Sequence, residues 1–170
     1  MSDHDGRLTV DGDRAVLTFE RRLPFPIETV WSAIADPEER REWLGATTIE
    51  PHEGGRIEMV PTGPPLPPDR MRMTGRILVW DPPHVLEHEW KQPILTDGGP
   101  DGTVRYELSV DGTGTLLKFT HRGLGVRTAG GFLGGTHAYL DRLAAYLKQE
   151  PLPDWVRRRE EINSARNGSD

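Results

Sequence analysis

The sequence predicts an α+β fold, in which a curved antiparallel sheet grips helices around an apolar cavity. The segment Pro24–Leu44 has apolar residues at helical spacing on both sides of a break at Asp36-Pro37. The segment Gly75–Trp90 has two strand patterns joined by a rigid Asp-Pro-Pro turn. A long amphipathic helix is predicted near the C-terminus, and its apolar stripe needs a sheet to cover it. Together these observations favour a protein that binds a small molecule over an enzyme.

Composition and charge restrict the class of protein. The chain has 170 residues, 35% of them hydrophobic, which is enough for one core and too few for two substantial domains. Its net charge of -6 argues against nucleic-acid binding, which requires a concentrated basic surface. With no cysteine, the chain offers no disulfide, no thiolate metal site and no cysteine nucleophile. It also shows neither a secretory-signal pattern nor an apolar run of membrane-spanning length, so we expect a cytoplasmic protein without a membrane span.

A strand and a pair of helices are predicted first. Ala15–Arg22 alternates apolar and polar residues, and two prolines end it. A first helix follows from an apolar stripe at helical spacing, formed by Ile27, Val30, Trp31 and Ile34. Asp36 caps a second short helix, which has Pro37 at its first position and runs to about Trp43. The pair must pack against another element, because it cannot bury its tryptophans alone.

The next prediction is a hairpin followed by an irregular segment. Thr47–Glu53 and Arg56–Val60 flank Gly54-Gly55, a dipeptide that readily supplies the positive φ angles of a tight turn. Pro61–Arg70 is too rich in proline for a central strand. It predicts a flexible or polyproline-like loop.

A second hairpin follows this loop. Met71–Trp80 and Val85–Lys91 are its strands, joined across Asp81-Pro82-Pro83. Gln92–Gly102, rich in Gly and Asp, predicts another loop.

The C-terminal half predicts one more hairpin and the long helix. Apolar and polar residues alternate along Thr103–Val110, which predicts a half-buried strand. A turn at Asp111–Gly114 leads into the strand Thr115–His121. From about Thr128 to Glu150 an apolar stripe marks a helix through Phe132, Thr136, Leu140, Leu143 and Leu147. Strands joined by short turns should be antiparallel, so we expect a meander of about six to seven strands.

This pattern divides the chain into three parts. Residues 1–14 are expected to be disordered or loosely ordered, and residues 15–150 form the predicted domain. Residues 151–170 are polar and charged, which predicts a partly ordered extra helix followed by a disordered tail. Trp155, Val156 and Ile162 are the residues of this part that could dock on the domain.

Five segments, in this order and spacing, resemble one known family. They are PIETVWSAIADPEERREWL, the Gly54-Gly55-Arg56 turn, GRILVWDPPHVLEHEW, GTGTLLKFTHRGL and HAYLDRLAAYL. The chain resembles the family named for the activator of the heat-shock chaperone ATPase, a branch of the START-like, or SRPBCC, superfamily. The resemblance covers roughly Ala15–Gln149. It implies a helix-grip (START-like) fold, with a ligand cavity between the curved sheet and the long C-terminal helix.

The chain also departs from the family pattern. Gly135-Thr136-His137 stands where family members often have a Gly-Trp pair, and Pro61–Pro68 is a local elaboration. Eukaryotic chaperone activators carry a separate N-terminal domain for which these 170 residues leave no room. The resemblance therefore implies the cavity and does not imply chaperone activation.

Motifs for metals and cofactors are weak in this sequence. His84–His88 matches the H-x-x-E-H pattern of a zinc peptidase class, but that chemistry requires a helix. In the predicted strand the two histidines lie about 13 Å apart, too far to share one zinc locally. Gly123-Leu124-Gly125 suggests a dinucleotide fingerprint, yet Thr128 occupies the position of the third glycine. We therefore expect no metal, no cofactor and no assigned catalytic residue.

The candidate ligand-binding residues are those predicted to face the cavity from the strands and the long helix. They are Trp80, His88, Trp90, Tyr106, Phe119, His121, Phe132, Thr136, His137 and Leu140. For His88 and His121, burial as hydrogen-bonded histidines of the core, or a position at a strand end, is the favoured interpretation, and a polar anchor in the pocket is the functional alternative. An apolar wall with a few polar anchors is nevertheless typical of a small-molecule site.

The predicted function is binding of a small hydrophobic or amphipathic molecule, by a protein that is a monomer or a weak dimer. A cyclase, dehydratase or hydrolase acting on an aromatic or polyketide-like substrate is an alternative. In it, His88 would work with Glu107 or Tyr106, although alternation places Glu107 on the outer face of its strand. A chaperone-linked or regulatory interaction module is a further alternative, with the proline-rich loop and the charged tail as contact sites.

Overall fold

The computed structural model describes residues 3–93 and 102–168, and within them it confirms the predicted α+β fold. Eight strands of these residues form one antiparallel sheet: β1 Arg7–Asp11, β2 Arg14–Leu23, β3 Gly45–Ile49, β4 Arg56–Pro61, β5 Met73–Asp81, β6 Val85–Glu89, β7 Thr103–Asp111 and β8 Gly114–Gly125. The α-helices of the same residues are α1 Ile27–Ala35, α2 Pro37–Trp43, α3 Pro68–Met71, α4 Val126–Leu147 and α5 Trp155–Gly168. A short 3-10 turn, Asp3–Asp5, precedes β1.

The sheet combines a meander with one long-range pairing. Its strand order is β1-β2-β8-β7-β6-β5-β4-β3, so β3 to β8 form the predicted meander. β2 does not extend this meander at β3 but pairs with β8, with Phe19 opposite Phe119. Local turn patterns carry no information about such a pairing, because the two strands are about a hundred residues apart.

The prediction that the first strand begins at Ala15 was wrong, because β1 precedes it. β1 pairs with β2 through a turn in which Gly12 has a φ of 65°. Every side chain of β1 is exposed, so its sequence lacks the alternation that identifies a half-buried strand. With β1 included, the sheet of the described residues has eight strands and not six or seven.

The three predicted hairpins are confirmed, with small shifts at their ends. Gly54 takes the positive φ expected in the turn between β3 and β4. The proline-rich segment contains the short helix α3, so Met71 lies in that helix and not in β5. Of the predicted loop Gln92–Gly102, residues 94–101 lie outside the described residues.

The predicted gap between the last strand and the long helix is absent, because β8 is longer and α4 begins two residues earlier than the pattern indicated. β8 continues to Gly125, four residues past His121, because β2 remains paired with it as far as Gly125. α4 then begins at Val126 and ends at Leu147. The predicted extra helix is also present, as α5.

Helices α1, α2 and α4 cover one face of the sheet. Leu17, Leu117 and Leu143 are almost completely buried between them. Trp43 of α2 donates from Nε1 to the carbonyl of Ala33 in α1 at 2.9 Å, which joins the helix pair. None of the helices in the described residues is long and apolar enough to cross a membrane.

Helix α5 docks on α4 through a second, smaller apolar cluster. Trp155 and Ile162 of α5 are buried against Ala138 of α4. Val156, which was also expected to dock, is exposed. The C-terminal part of the chain thereby becomes a cover for the long helix.

Candidate ligand-binding site

A predominantly apolar cavity of about 250 Å³ lies between the sheet and helices α4 and α5. Strands β4, β7 and β8 supply one wall, and α4 supplies another. The segment 61–71, α5, residues 43 and 44 at the end of α2, and residues 90 and 92 after β6 complete the lining. The cavity is larger than the roughly 150 Å³ apolar void that accommodates benzene in an engineered protein core. Its size therefore suits a compact molecule of one or two rings.

Most of the predicted site residues come together at this cavity. Those that line it are Trp90, Tyr106, Phe119, His121, Phe132, Thr136 and Leu140. They share an inward position on strands β7 and β8, at the end of β6, or on the stripe of α4. The period of two along the strands and of 3.6 along the helix was sufficient to find them.

Three predicted site residues lie elsewhere. Trp80 packs edge-on against Trp31 of α1, with ring centroids 5.4 Å apart. His137 faces β2 and the N-terminal turn, with its ring 6.1 Å from that of Phe19. His88 is completely buried behind Trp90, whose ring stacks on it at a centroid distance of 6.2 Å.

His121 is the polar group most enclosed by the aromatic wall. Its ring lies 5.2 Å from that of Trp90 and 5.3 Å from that of Phe132. Its Nε2 atom is buried without a hydrogen-bond partner among the described residues. Burial, and secondarily the neighbouring His88, lowers the pKa of His121 to about 3, so the imidazole is neutral at pH 7. A neutral imidazole with a free nitrogen can donate a hydrogen bond to a ligand or accept one from it.

His88 is a neutral histidine with a defined tautomer. Its Nδ1 lies 2.8 Å from the carbonyl oxygen of Glu89, so Nδ1 carries the proton. Its Nε2 is buried and has no partner among the described residues. Burial, together with the positive charge of Arg40, lowers the pKa of His88 to about 4. His88 is thus a core histidine at the back of the cavity wall.

Arg40 of α2 introduces a positive charge behind the cavity. Its side chain is completely buried, and Nη1 donates to the carbonyl of Ile34 at 2.8 Å. Nε donates to the hydroxyl of Thr47 at 3.3 Å, and Nη2 lies 3.4 Å from Sδ of Met59. No carboxylate of the described residues lies within ion-pair distance of this guanidinium.

Tyr106 connects Arg40 to the cavity. Its side chain lines the cavity, and its phenol interacts electrostatically with the guanidinium of Arg40. Burial raises the pKa of the Tyr106 phenol, and the charge of Arg40 partly offsets this rise. The phenol therefore stays protonated at neutral pH.

A tight contact between three elements closes one side of the cavity. The hydroxyl of Tyr139 in α4 accepts from the backbone N–H of Gly63 at 2.8 Å and donates to its carbonyl at 2.9 Å. Trp155 of α5 packs on Gly63 and donates from Nε1 to the carbonyl of Gly135 at 3.1 Å. Arg159 lies over the Trp155 ring at 5.8 Å and also lines the cavity.

One group of side chains outside the cavity has donor atoms close enough for a metal ion. His4, Asp5 and His137 bring a ligand atom each within 4.8 Å of one another. The guanidinium groups of Arg21 and Arg158 bind Asp141 beside His137, at 2.9 and 2.7 Å. These positive charges disfavour a cation there, so we assign no metal to this group.

Sequence reasoning missed the polar end and the cover of the cavity. Arg40 was not among the predicted site residues, although its position three residues before Trp43 places both on one helix face. Trp155 was expected to dock on the domain, but neither Trp155 nor Arg159 was predicted to line the cavity. The spacing of apolar residues within α5 does not predict their place at the cavity, because this helix buries few residues and its contacts depend on α4.

The match to a protein family agrees with this architecture. Residues 24–148 match the family model described as "Activator of Hsp90 ATPase homolog 1-like protein". The chain belongs to this family, within the SRPBCC superfamily. The match spans the elements from the helix pair to the end of α4 that build most of the cavity. No curated protein matches the chain in sequence.

Solved structures of similar proteins share the fold over nearly the whole chain. CalU16 from Micromonospora echinospora is 26% identical with a TM-score of 0.70, over 94% of this chain and 90% of that one. The protein encoded by gene BPP1335 of Bordetella parapertussis is also 26% identical with a TM-score of 0.70, over 97% and 91%. A conserved protein of unknown function from Enterococcus faecalis, 14% identical with a TM-score of 0.70 over 97% and 92%, shows the same fold. The family match thus establishes an architecture, and the role of the cavity has to be argued from this chain's own residues.

Proposed function

We propose that this protein binds a small hydrophobic or amphipathic molecule in the cavity between the sheet and helix α4. The observation that carries the proposal is the apolar cavity of about 250 Å³, which brings together side chains from distant parts of the chain. Close packing normally leaves a core with few voids larger than a water molecule. A space of this size, with aromatic walls and few polar groups, is the usual composition of a small-molecule site.

The polar groups at the cavity support binding of a ligand with one hydrogen-bonding end. His121 offers an unpartnered nitrogen, and Tyr106 offers a protonated phenol beside Arg40. Residues 15–150 form the ligand-binding domain in this proposal, and α5 is the cover that completes it. We propose that the protein works in the cytoplasm, a reducing compartment that suits a chain without cysteine.

The arrangement gives less support to catalysis. The carboxylate of Glu107 accepts from Arg105 at 3.2 Å on the outer side of β7, and His88 lies behind the cavity wall. His88, Glu107 and Tyr106 are therefore not assembled around a common space. For this reason we propose binding as the function and do not propose turnover.

Thermal unfolding with a neutral bicyclic probe tests the proposal. We expect 2-naphthamide to raise the melting temperature of the wild-type protein, because a ligand that binds only the folded state stabilises it. Thr136→Phe fills the cavity from α4 and should abolish this rise. Thr29→Phe, on the exposed side of α1, is the matched control and should preserve it.

The same experiment can contradict the proposal. If 2-naphthamide raised the melting temperatures of the Thr136→Phe and Thr29→Phe variants equally, the probe would bind outside the cavity. An absence of stabilisation by 2-naphthamide, together with no small molecule in native mass spectra of the purified protein, would remove the support for a ligand-binding role.

A further inference from the structure

Arg40 is a buried positive charge without an anionic partner in the described part of the chain. Its hydrogen-bonding groups meet a carbonyl oxygen at Ile34, a hydroxyl at Thr47 and the sulfur of Met59. These partners are neutral. A guanidinium stays protonated in proteins, so burial does not remove its charge. Buried charges are normally paired, because an isolated one is strongly unfavourable away from water.

The ionisable groups near Arg40 do not balance it. Tyr106 is the side chain that acts on the guanidinium most directly, and its phenol is protonated at neutral pH. The His88 imidazole is uncharged because burial and Arg40 both lower its pKa. The His121 imidazole, next to His88, is uncharged as well. The back of the cavity therefore carries a net positive charge.

One layer of side chains separates this charge from the cavity. Met59 and Tyr106 both contact the guanidinium of Arg40, and both line the cavity. A charged group of a ligand at this wall would lie close to Arg40, with little water between them. Electrostatic attraction over such a distance is far stronger in a dry interior than in solvent.

We propose that the ligand is an amphipathic carboxylate, which binds with its apolar body in the aromatic cavity and its carboxylate against Tyr106 and Met59. This inference rests on the proposed function and names the chemical class of its ligand. Arg40 supplies the charge that attracts the anion, and the Tyr106 phenol lies at the same wall. The aromatic side chains of β8 and α4 select the flat apolar body.

A second arginine could also attract an anion and must be distinguished from Arg40. Arg159 lines the cavity from α5, but its side chain is partly exposed and lies over Trp155. Solvent screens an exposed charge much more than a buried one. We therefore expect the preference for an anion to depend on Arg40 and not on Arg159.

Calorimetric titration of two isosteric probes tests the proposal. 2-Naphthoate and 2-naphthamide have the same apolar body and differ in charge. We expect 2-naphthoate to bind the wild-type protein roughly tenfold to a hundredfold more tightly, the range expected for a hydrogen bond to a charged group. The Arg159→Met variant should keep this ratio.

A matched pair of substitutions at Met59 isolates the role of the buried charge. Met59→Glu places a carboxylate beside Arg40 and neutralises it, whereas Met59→Gln has nearly the same shape and no charge. We expect Met59→Glu to lose the preference for 2-naphthoate and Met59→Gln to retain it. Both Met59 variants retain Arg40, so the carbonyl of Ile34 keeps the hydrogen bond that Arg40→Met would remove.

Each outcome decides the question. Equal affinities of the wild-type protein for 2-naphthoate and 2-naphthamide would overturn the carboxylate proposal and leave the proposed binding function intact. Loss of the preference in Arg159→Met, with retention in Met59→Glu, would overturn the role of Arg40. If neither probe binds, the proposed function and this inference fail together.

Discussion

Two buried histidines, His88 and His121, give this protein a specific dependence on pH. Both are fully enclosed and both are neutral in the folded state, with pKa values lowered to about 4 and about 3. In the unfolded chain the same imidazoles titrate near an ordinary pKa of about 6.5. Protonation therefore favours the unfolded state over the folded state.

We expect the free energy of unfolding to decrease as the pH falls from about 6.5 toward about 4. Above this window both states leave His88 and His121 neutral, and their full contribution is present. Within it the unfolded chain binds protons that the folded chain does not, so each histidine lowers the free energy of unfolding by up to about 1.4 kcal/mol per pH unit. Urea denaturation at a series of pH values measures this slope.

Two histidine variants separate the buried groups from the background. His121→Gln should reduce the slope but not abolish it, because His88 and His137 also have lowered pKa values. His52→Gln replaces an exposed histidine and should leave the slope unchanged. A slope in His121→Gln equal to that of the wild-type protein would contradict the assignment of His121 as a buried neutral group.

At the scale of elements, the contact of Gly63 with α4 and α5 is the most sterically restricted junction of the cavity. A methyl group at Gly63 would overlap the ring of Trp155. The backbone of Gly63 also forms two hydrogen bonds with the hydroxyl of Tyr139. The segment 61–71, α4 and α5 therefore depend on one another at a single residue.

We expect Gly63→Ala to lower the free energy of unfolding by about 1–3 kcal/mol, because overpacking forces the ring of Trp155 or the backbone of the segment to move. Gly130→Ala is the control. Gly130 lies on an exposed side of α4, and a methyl group added there would meet open space, so alanine should raise stability by up to about 1 kcal/mol. Chemical denaturation measures both, and equal stability of Gly63→Ala and the wild-type protein would contradict the tight contact.

Elements differed in how far the sequence predicted them. The hairpins from β3 to β8 and the helix α4 followed from turn residues and apolar periodicity, which are local signals. Strand β1 was not predicted, because all its side chains are exposed and its sequence therefore lacks apolar alternation. Helix α5 and the docking of Trp155 and Ile162 were expected from their apolar side chains, but the surface of α4 that receives them was not, because no local pattern describes it.

The cavity residues show the same limit. Periodicity identified Tyr106, Phe119 and Phe132 as inward-facing, and the structure places them on the cavity wall. Arg40 was missed because a charged residue on a short helix is normally solvated. Its burial results from the packing of α2 against the sheet, which the sequence of α2 alone does not specify.

For the whole molecule, the two sides of the cavity differ in how firmly they are held. The sheet side is fixed by continuous strand pairing, with β2, β8 and β7 adjacent. The opposite side includes the segment 61–71 and α5, and in α5 Trp155 and Ile162 are the buried side chains among the described residues. Regions with few buried apolar contacts open more easily than the core. A ligand would therefore enter most readily by displacement of α5 and this segment.

Hydrogen exchange with and without ligand tests this division. We expect bound 2-naphthamide to slow amide exchange in α5 and in the segment 61–71, because the ligand contacts residues of both and opposes their opening. Exchange in the β1–β2 hairpin should change little, since that hairpin does not line the cavity. The Thr136→Phe variant, with its cavity filled, should show no ligand-dependent change. Slowed exchange confined to the β1–β2 hairpin, or spread evenly over the chain, would contradict entry through α5, because a ligand protects most strongly the elements whose opening it must prevent.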